Sequence, residues 1–461
     1  MNVFGLEVNV KNLPLLDKGY IPMAAFCKAF EASAANGKEI AVAVERNQGY
    51  TAVRKMKIHG TEEMAQADRV YVERTVKMLL WAYGGWKVYI CGDDAIGAFI
   101  VDTYKVGGAR EFDADFMGNV YEKEFTVVSV PYDQTPAEKS GAKPVGRHLD
   151  GCRIGFDAGG SDRKVSAVID GESVYSEEVV WFPKTNSDPD YHFEGIVAAM
   201  KTAASKMPRV DAIGVSSAGI YVDNRAMVAS LFIKVPKDDF DKKVKDIYIR
   251  AAKEIGDVPL EVVNDGDVTA LAGAMSLGEN EILGIAMGTS EAVGYVDKDG
   301  NITGWLNELA FAPVDLQDDA MVDEWSGDKG CGVKYFSQDS VIKLAPRAGI
   351  VLDESLSPAE KLKVVQAEMD KGSEAARDIY RSIGTYLGHA LAYYATYYQV
   401  AHVLLLGRVM SGEGGDLVIE EARRVLADEY SEVTGVELHL PDEKFRRVGQ
   451  SAAAASLPQI G

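Results

Sequence analysis

Five short stretches of this sequence place glycines or polar side chains directly after apolar runs, where buried strands would end. They are FDAGGSDRK from residue 156, GVSSAGIYV from 214, VNDGDVTALAG from 263, MGTS from 287 and LLLGRVMSGEGG from 404. In open α/β sheets, ligands bind at the carboxyl ends of the strands. The order of these stretches therefore predicts one ligand-binding edge, built from several separate segments.

The glycine-containing turns have the composition of phosphate-binding loops. Glycines let backbone N–H groups approach phosphate oxygens, and neighbouring hydroxyl groups add donors. Taken alone, FDAGGSDRK could equally be a hairpin turn, because Gly-Gly is common in turns, and the Walker spacing GxxxxGK[ST] is absent. The candidate ATP-binding residues are Gly159, Gly160, Ser161, Lys164, Gly288, Thr289, Ser290, Gly407 and Gly412.

Acidic residues follow two of the predicted strands. Asp157 ends an apolar strand and is suited to hold Mg²⁺ through water, since this cation prefers oxygen ligands. Asn264 and Asp265 lie between the apolar run VPLEVV and a predicted helix. They can cap that helix, or they can bind a ligand, and the two interpretations are compatible.

Composition and charge exclude several classes of protein. The chain has 461 residues, of which 47% are hydrophobic and 26% charged, with a net charge of −21. This is an ordinary globular composition, and the acidic balance disfavours nucleic acid as a partner. No apolar run is long enough for a membrane span and no signal sequence is evident, so we expect a cytoplasmic protein without membrane contact. The four cysteines and six histidines are scattered, without metal-ligand spacing.

A break in composition near residue 132 divides the chain. Residues 1–131 are predicted to be an N-terminal α/β or α+β domain of unknown role, and residues 132–151 a linker. Strands and helices then alternate through residues 152–280, and the pattern restarts through 281–461. The aromatic stripe YLGHALAYYATYYQ is predicted to be core or subunit interface, and we expect a homo-oligomer, specifically a dimer.

From residue 152 to 458 the sequence resembles the ROK family (repressors, open reading frames, kinases) of the actin-like ATPase superfamily. The five stretches match, in order, its first phosphate motif, its sugar-side strand end, its sugar and catalytic motif, its second phosphate motif and its adenosine motif. The resemblance implies an α/β fold with two RNase H-like lobes, at 152–280 and 281–461, and an inter-lobe cleft. It also implies ATP and Mg²⁺ as cofactors and a small-molecule sugar as substrate.

The resemblance implies a role for individual residues. Asp265 would be the general base that takes the proton of a sugar hydroxyl during attack on the γ-phosphate of ATP. The substrate-binding residues would be Asn264, Glu308, Gly219 and Ser217. The expected enzyme is an ATP-dependent sugar kinase acting on the hexose or N-acetylhexosamine class.

The sequence also departs from the family pattern. Phe311 stands where the family has a zinc-binding histidine, Glu324 and Ser326 replace two cysteines, and Cys331 alone remains. One thiol cannot hold a structural zinc ion, so we predict no structural zinc. Val333 replaces a second sugar-contacting glutamate, which leaves the sugar undefined.

Two other functions remain open at this stage. A sugar-sensing regulator could use the same scaffold without catalysis, although residues 1–150, with 20 acidic and 18 basic residues, do not resemble a DNA-binding module. An ATPase activator of the related family that serves radical dehydratases would need paired cysteines for an iron–sulfur cluster.

Overall fold

Apolar strands and amphipathic helices alternate along the chain in the computed structural model, which describes residues 1–140, 145–433, 435–442 and 449–460. The strands are β1 (Asn2–Val3), β2 (Leu6–Glu7), β3 (Lys38–Glu45), β4 (Thr51–Ile58), β5 (Lys87–Cys91), β6 (Thr126–Val130), β7 (Cys152–Ala158), β8 (Asp162–Ile169), β9 (Glu172–Val180), β10 (Ala212–Ser217), β11 (Ile220–Val222), β12 (Arg225–Val228), β13 (Leu260–Asn264), β14 (Ile282–Met287), β15 (Glu291–Val296), β16 (His402–Leu406) and β17 (Glu437–His439). The helices are α1 (Met23–Ser33), α2 (Ala65–Tyr83), α3 (Asp94–Tyr104), α4 (Glu111–Tyr121), α5 (Pro189–Ala204), α6 (Lys237–Asp239), α7 (Ile247–Lys253), α8 (Asp265–Leu277), α9 (Gln338–Leu344), α10 (Pro358–Asp370), α11 (Glu374–Tyr394), α12 (Glu413–Glu429) and α13 (Gln450–Ala455).

The chain divides into two units, neither of which is continuous in sequence. Unit 1 contains Met1–Ser140, Ile285–Val293 and Trp305–Leu440. Unit 2 contains Gly141–Gly284, Gly294–Gly304 and Pro441–Gly461. The N-terminal region therefore belongs to the same unit as residues 305–440. The domain boundaries drawn from the sequence at 131, 151 and 280 stay predictions.

Unit 2 is organised around a five-stranded sheet with the order β13-β10-β7-β8-β9. Strands β7, β8 and β9 are antiparallel neighbours, whereas β10 and β13 run parallel to β7. Strand β7 is buried along its whole length, as expected for a central strand covered on both faces. Its apolar residues pack with those of α5 and α7 in one core.

Unit 1 holds a four-stranded sheet with the order β4-β3-β5-β6, in which β5 and β6 are parallel. A further sheet has the order β15-β14-β16-β17, and the turn between β14 and β15 belongs to this unit. The long helix α11 packs along α12. The aromatic stripe of α11 lies in the core, since Tyr386, Tyr393 and Tyr394 are all buried.

The structure contains the elements that anchor the predicted motifs. The apolar runs before the five stretches form the strands β7, β10, β13, β14 and β16, and the helix predicted after Asn264 and Asp265 is α8. The helix α4, the hairpin β11–β12 and the short strand β17 were not predicted. No helix among the described residues has the length and apolar content needed to cross a membrane.

Candidate active site

The carboxyl ends of three parallel strands in unit 2 form one row of polar side chains. In the register of β7 and β10, Ser216 lies beside Asp157. In the register of β10 and β13, Ser217 lies beside Asn264. Helix α8 begins directly after that strand with Asp265. The structure thus brings the predicted magnesium residue and the predicted sugar and catalytic residues to one edge of a sheet.

Asp157 is almost completely buried, with 5% of its surface exposed. Ser216 Oγ donates a hydrogen bond to its Oδ1 atom at 2.8 Å. Burial raises the pKa of Asp157 to about 6, the hydrogen bond from Ser216 opposes that rise, and the charge of Asp265 adds to it. A cation held near this carboxylate would favour its ionised form. Carboxylate oxygens are also the ligands that Mg²⁺ prefers, so the residue fits the predicted ion.

Asn264 joins two segments of the site. Its Oδ1 atom accepts a hydrogen bond from Gly266 N at 2.7 Å and caps α8, and its Nδ2 atom donates to Gly219 O at 2.7 Å. A side-chain amide has two N–H donors and two acceptor lone pairs. One donor and one lone pair of Asn264 therefore remain available to a ligand. Asn264 is the helix cap, and Asp265 is the first helical residue.

Asp265 presents a half-buried carboxyl group at the start of α8. Burial raises its pKa, against the opposing effects of the Gly266 N–H group and the charge of Lys184. A raised pKa makes a carboxylate a stronger base, closer to the optimum for proton transfer near neutral pH. Its position and environment therefore suit the abstraction of a hydroxyl proton.

The start of α8 is held in place by contacts with the neighbouring strand β15. The buried side chain of Asp267 accepts a hydrogen bond from Tyr295 N at 3.0 Å. A Cβ atom at Gly294 would lie 2.2 Å from Gly266 O, so any larger residue there would collide with the helix. This packing fixes the position of Asp265 more tightly than its cap alone.

The first phosphate turn connects β7 to β8. Gly159 O accepts a hydrogen bond from Trp181 Nε1 at 2.8 Å, which anchors the turn. Ser161 Oγ donates to Asp162 at 3.1 Å, and the half-exposed Lys164 lies 3.6 Å from the same carboxylate. The Nζ atom of Lys184 would lie 3.3 Å from a Cβ atom at Gly160.

Lys184 is a candidate that the sequence analysis did not identify. It is exposed in a short helical turn after β9, and its charge acts on Asp265. A flexible ammonium group beside a glycine turn is suited to neutralise phosphate charge. Its sequence context, WFPKTN, carries no signal of this proximity, which arises from the pairing of β8 with β9.

The predicted sugar-side residues Ser217 and Gly219 have different surroundings. Ser217 is fully buried, and its hydroxyl group is within hydrogen-bond distance of Tyr248 OH at 2.8 Å and Tyr221 OH at 2.6 Å. Gly219 has φ +137°, and a Cβ atom there would lie 2.4 Å from Val228 O. Only glycine fits this turn, which holds the carbonyl group that Asn264 binds.

The second phosphate turn, Gly288 to Ser290, lies in unit 1. Gly288 N donates to Ser290 O at 3.0 Å, and Gly288 O accepts from Gln338 N at 2.9 Å. Arg408 donates from Nη2 to Thr289 Oγ1 at 2.7 Å. The arginine thus brings a positive charge to a turn that is expected to face phosphate, which suits the chemistry of that ligand.

The predicted adenosine turn of unit 1 follows β16. Gly407 has φ +96°, and a Cβ atom there would lie 2.2 Å from Met287 O, so glycine is required. At Gly412, which precedes α12, an added Cβ atom would meet no atom within 4 Å. The backbone of this turn is therefore open to an approaching ligand.

Glu308 is positioned by the N-terminal region. Its backbone N donates to Trp81 O at 2.9 Å, and Asn307 N donates to Ala82 O at 3.0 Å. Tyr398 OH donates to the side chain of Asn307 at 3.0 Å. The end of helix α2 therefore holds the loop that carries the predicted sugar-binding glutamate.

Glu291 is the second glutamate of this region, and it is buried, with 4% of its surface exposed. Neither carboxyl oxygen has a hydrogen-bond partner among the described residues. Burial raises its pKa well above the usual range, and the charge of Glu308 raises it further. Tyr394 OH, which feels the charge of Glu291, is also buried without a described partner. Unsatisfied buried polar groups of this kind mark positions where a ligand or water binds.

Aromatic rings occupy the place where the family pattern has its zinc ligands. Phe311 is buried and stacks on Trp81, with ring centroids 4.2 Å apart, and it contacts Trp325 at 5.5 Å. Cys331 is fully buried, 4.0 Å from Ser326 Oγ. Aromatic packing thus holds this loop against the N-terminal helix α2.

An ion-pair network continues that packing. Asp328, which follows the cysteine-replaced positions, binds Arg74 and Lys77 at 2.9 Å and Arg110 at 2.9 Å. Burial alone would raise the pKa of Asp328, but the charges of Arg74 and Lys77 outweigh burial and lower it. The carboxylate is therefore ionised and fully paired.

Comparisons with known proteins show which folds this chain resembles. The ROK hexokinase of Thermus thermophilus is 19% identical, with a TM-score of 0.51, over 66% of this chain and 97% of its own. A ROK transcriptional regulator, described as a homologue of the E. coli MLC protein, is 16% identical, with a TM-score of 0.50, over 67% and 79%. The ROK glucokinase of Streptomyces griseus, solved with glucose and AMPPNP, is 18% identical, with a TM-score of 0.48, over 66% and 98%. No curated protein sequence matches the chain.

These similarities confirm the predicted fold class, the α/β fold of the actin-like ATPases. The model of the ROK family matches residues 153–441, which is well over half of the sequence. That range contains all five motifs from which the resemblance was first drawn. This chain therefore belongs to the ROK family.

Proposed function

We propose that this protein is an ATP-dependent sugar kinase that transfers the γ-phosphoryl group of ATP to a sugar hydroxyl. The observation that carries the proposal is the carboxyl group of Asp265, half-buried at the start of α8 and at the same sheet edge as the buried carboxyl group of Asp157, whose pKa it raises. Membership of the ROK family supports it. Phosphoryl transfer depends mainly on alignment and charge neutralisation, and a row of polar groups at one sheet edge is suited to both.

Asp265 would act as the general base. It takes the proton of the attacking hydroxyl group as the oxygen approaches phosphorus, and burial of its carboxyl group strengthens it as a base. Asn264 would bind neighbouring sugar hydroxyls with its remaining donor and lone pair. Glu308 would accept a further sugar hydroxyl from its position after α2.

Glycine turns and cationic side chains would bind ATP. Gly159, Gly160 and Ser161 of unit 2 would contact phosphate oxygens, with Lys164 and Lys184 as nearby charges. In unit 1, Gly288, Thr289 and Ser290 would also contact phosphate oxygens. Gly407 and Gly412 would contact the nucleoside of ATP. Mg²⁺, held near Asp157 through water, would neutralise the charge of the phosphates.

A panel assay tests the proposal directly. ADP release from Mg-ATP is followed through a coupled reaction with hexoses, N-acetylhexosamines and pentoses, each compared with a reaction without sugar. We expect sugar-dependent release with at least one hexose or N-acetylhexosamine. If ATP or a sugar binds but no sugar stimulates release, the kinase proposal fails and a sugar-sensing role without catalysis takes its place.

A further inference from the structure

A group of metal-binding side chains lies in unit 1, on the last two strands of the β15-β14-β16-β17 sheet. Strands β16 and β17 are parallel, and their register places His402 beside Glu437 and Leu404 beside His439. Side chains on a strand alternate between the two faces. Glu437 and His439 therefore share one face with His402, while Leu438 between them is buried on the other.

The three side chains converge at the distances that one small cation requires. Nδ1 of His402 and Nε2 of His439 lie 3.1 Å apart. Oε2 of Glu437 lies 3.9 Å from the first of these nitrogens and 3.7 Å from the second. The circumcentre of this triangle is about 2.1 Å from all three atoms, as follows from its three sides. Zinc binds histidine nitrogen and carboxylate oxygen at about 2.0–2.2 Å.

We propose that His402, Glu437 and His439 form a binding site for a divalent cation of the zinc class. Two imidazoles and one carboxylate are a donor set that suits Zn²⁺ and its neighbours among the first-row transition metals. The histidine side chains are only 15% and 23% exposed, whereas that of Glu437 is 67% exposed. The two histidines are therefore held by the sheet, whereas the glutamate lies at its surface.

Without metal, the two facing nitrogens are within hydrogen-bond distance, so one donates and the other accepts. A cation that binds both nitrogens takes the place of the shared proton, which moves to the other nitrogen of the donor ring. Each imidazole then binds the metal as a neutral ligand.

This site is separate from the proposed nucleotide residues of unit 1. His402 begins β16, and Gly407 follows its carboxyl end, so about five residues, or roughly 16 Å of extended strand, separate them. The cation would fasten the edge strand β17 to β16 and leave phosphoryl transfer untouched. The sequence shows no metal-ligand spacing and predicts no structural zinc, so it gives no sign of this site. These ligands come together across two strands.

Metal titration of the whole protein tests the proposal. Full-length protein freed of metal with a chelator is titrated with Zn²⁺ in competition with a chromophoric chelator, and separately with Co²⁺ followed by its visible absorption. We expect one equivalent of either ion per chain and a higher melting temperature with Zn²⁺, since a ligand that binds only the folded state stabilises it. His402→Asn and His439→Asn should each lose the site, and His148→Asn, which alters a histidine elsewhere, should keep it.

Glu437→Gln provides a variant that does not disturb the buried part of the sheet, because this side chain is mostly exposed. We expect weaker zinc binding with an unchanged circular dichroism spectrum. The proposal is overturned if the wild-type protein binds no stoichiometric Zn²⁺ or Co²⁺, or if a variant lacking both histidines binds them as well as the wild type does. The histidines would then form a hydrogen-bonded pair only.

Discussion

Unit 1 buries acidic side chains in two opposite ways. Around Asp328, the cations Arg74, Lys77 and Arg110 saturate the carboxylate, and its pKa is lowered despite burial. Around Glu291, no described residue offers a hydrogen bond to either oxygen, and its pKa is raised. Both side chains are less than a tenth exposed, so burial alone does not account for the difference.

The difference separates a structural carboxyl group from one that is a candidate for ligand binding. A buried carboxylate surrounded by cations holds segments together, and removing one partner leaves the others uncompensated. A buried carboxyl group without a partner costs stability, and such groups cluster at functional sites. Asp157 and Asp265 in unit 2 lie between these two cases. Burial raises the pKa of each, but Asp157 accepts a hydrogen bond from Ser216 and Asp265 accepts one from Gly266 N.

The largest expected effect is on turnover, with Asp265→Asn. Losing the general base should lower kcat by about 10²–10⁴-fold, while the free energy of unfolding changes by less than about 1 kcal/mol, since only a charge at a helix start is lost. Steady-state kinetics and chemical denaturation of the same preparation measure the two effects. Undiminished turnover would remove Asp265 from the mechanism, and a comparable loss of stability would make its role structural.

The next effect is on stability, with Asp328→Asn. Removing this charge leaves three buried or half-buried cations without their common partner, and we expect a loss of about 3–5 kcal/mol in the free energy of unfolding. Asp299→Asn is the matched control, because its ion pair with Lys298 is more than 60% exposed on both sides and should be worth less than about 1 kcal/mol. Equal losses in the two variants would contradict the structural role of the network.

Replacement of Glu291 by leucine should increase stability, whereas Asp328→Asn should decrease it. Removing an unsatisfied buried polar group should raise the free energy of unfolding at neutral pH by roughly 1–3 kcal/mol, and it should weaken sugar-dependent ADP release. A decrease in stability would show that the carboxyl group has partners in the folded protein.

The pH dependence of stability tests the same residue. The unfolded chain releases the Glu291 proton near pH 4.3, but the folded chain retains it because its pKa is raised. The folded state therefore binds more protons above that pH, and this residue makes stability fall as pH rises. Glu291→Gln should remove that component, so its stability relative to wild type should increase between pH 5 and pH 7 on denaturant titration.

The smallest effect concerns Ser216→Ala. The hydrogen bond from Ser216 is worth about 0.5–1.5 kcal/mol. Its loss should raise the pKa of Asp157, which burial already raises to about 6, by roughly half to one unit. We expect kcat/KM to fall as the pH drops through that pKa. In the variant, the acidic limb of the pH profile of kcat/KM should move to higher pH. An unmoved limb would assign it to another group.

The sequence predicted the parts of the site that depend on neighbours along the chain. The apolar runs identified β7, β10 and β13, and the polar residues after them identified the sheet edge. The pair Asn264 and Asp265 was recognised because capping residues have a local signal.

Contacts between distant segments had no such signal. The proximity of Lys184 to Gly160 depends on strand pairing, and His402 meets His439 only through the register of two strands. The pairing of Asp328 with Arg74 joins residues that are 254 positions apart. None of these contacts could be predicted from the sequence, because neither periodicity nor motif spacing determines the register of paired strands.

The hydrogen bonds from Glu308 and Asn307 to the end of helix α2 limit how this protein can evolve. The region before residue 140 is not a detachable module, since it holds in place a residue proposed to contact the sugar. A chain that began after that region would expose Phe311 and the loop of Asp328 to water. Recombination could therefore not exchange this region for another without rebuilding the loop that carries Glu308.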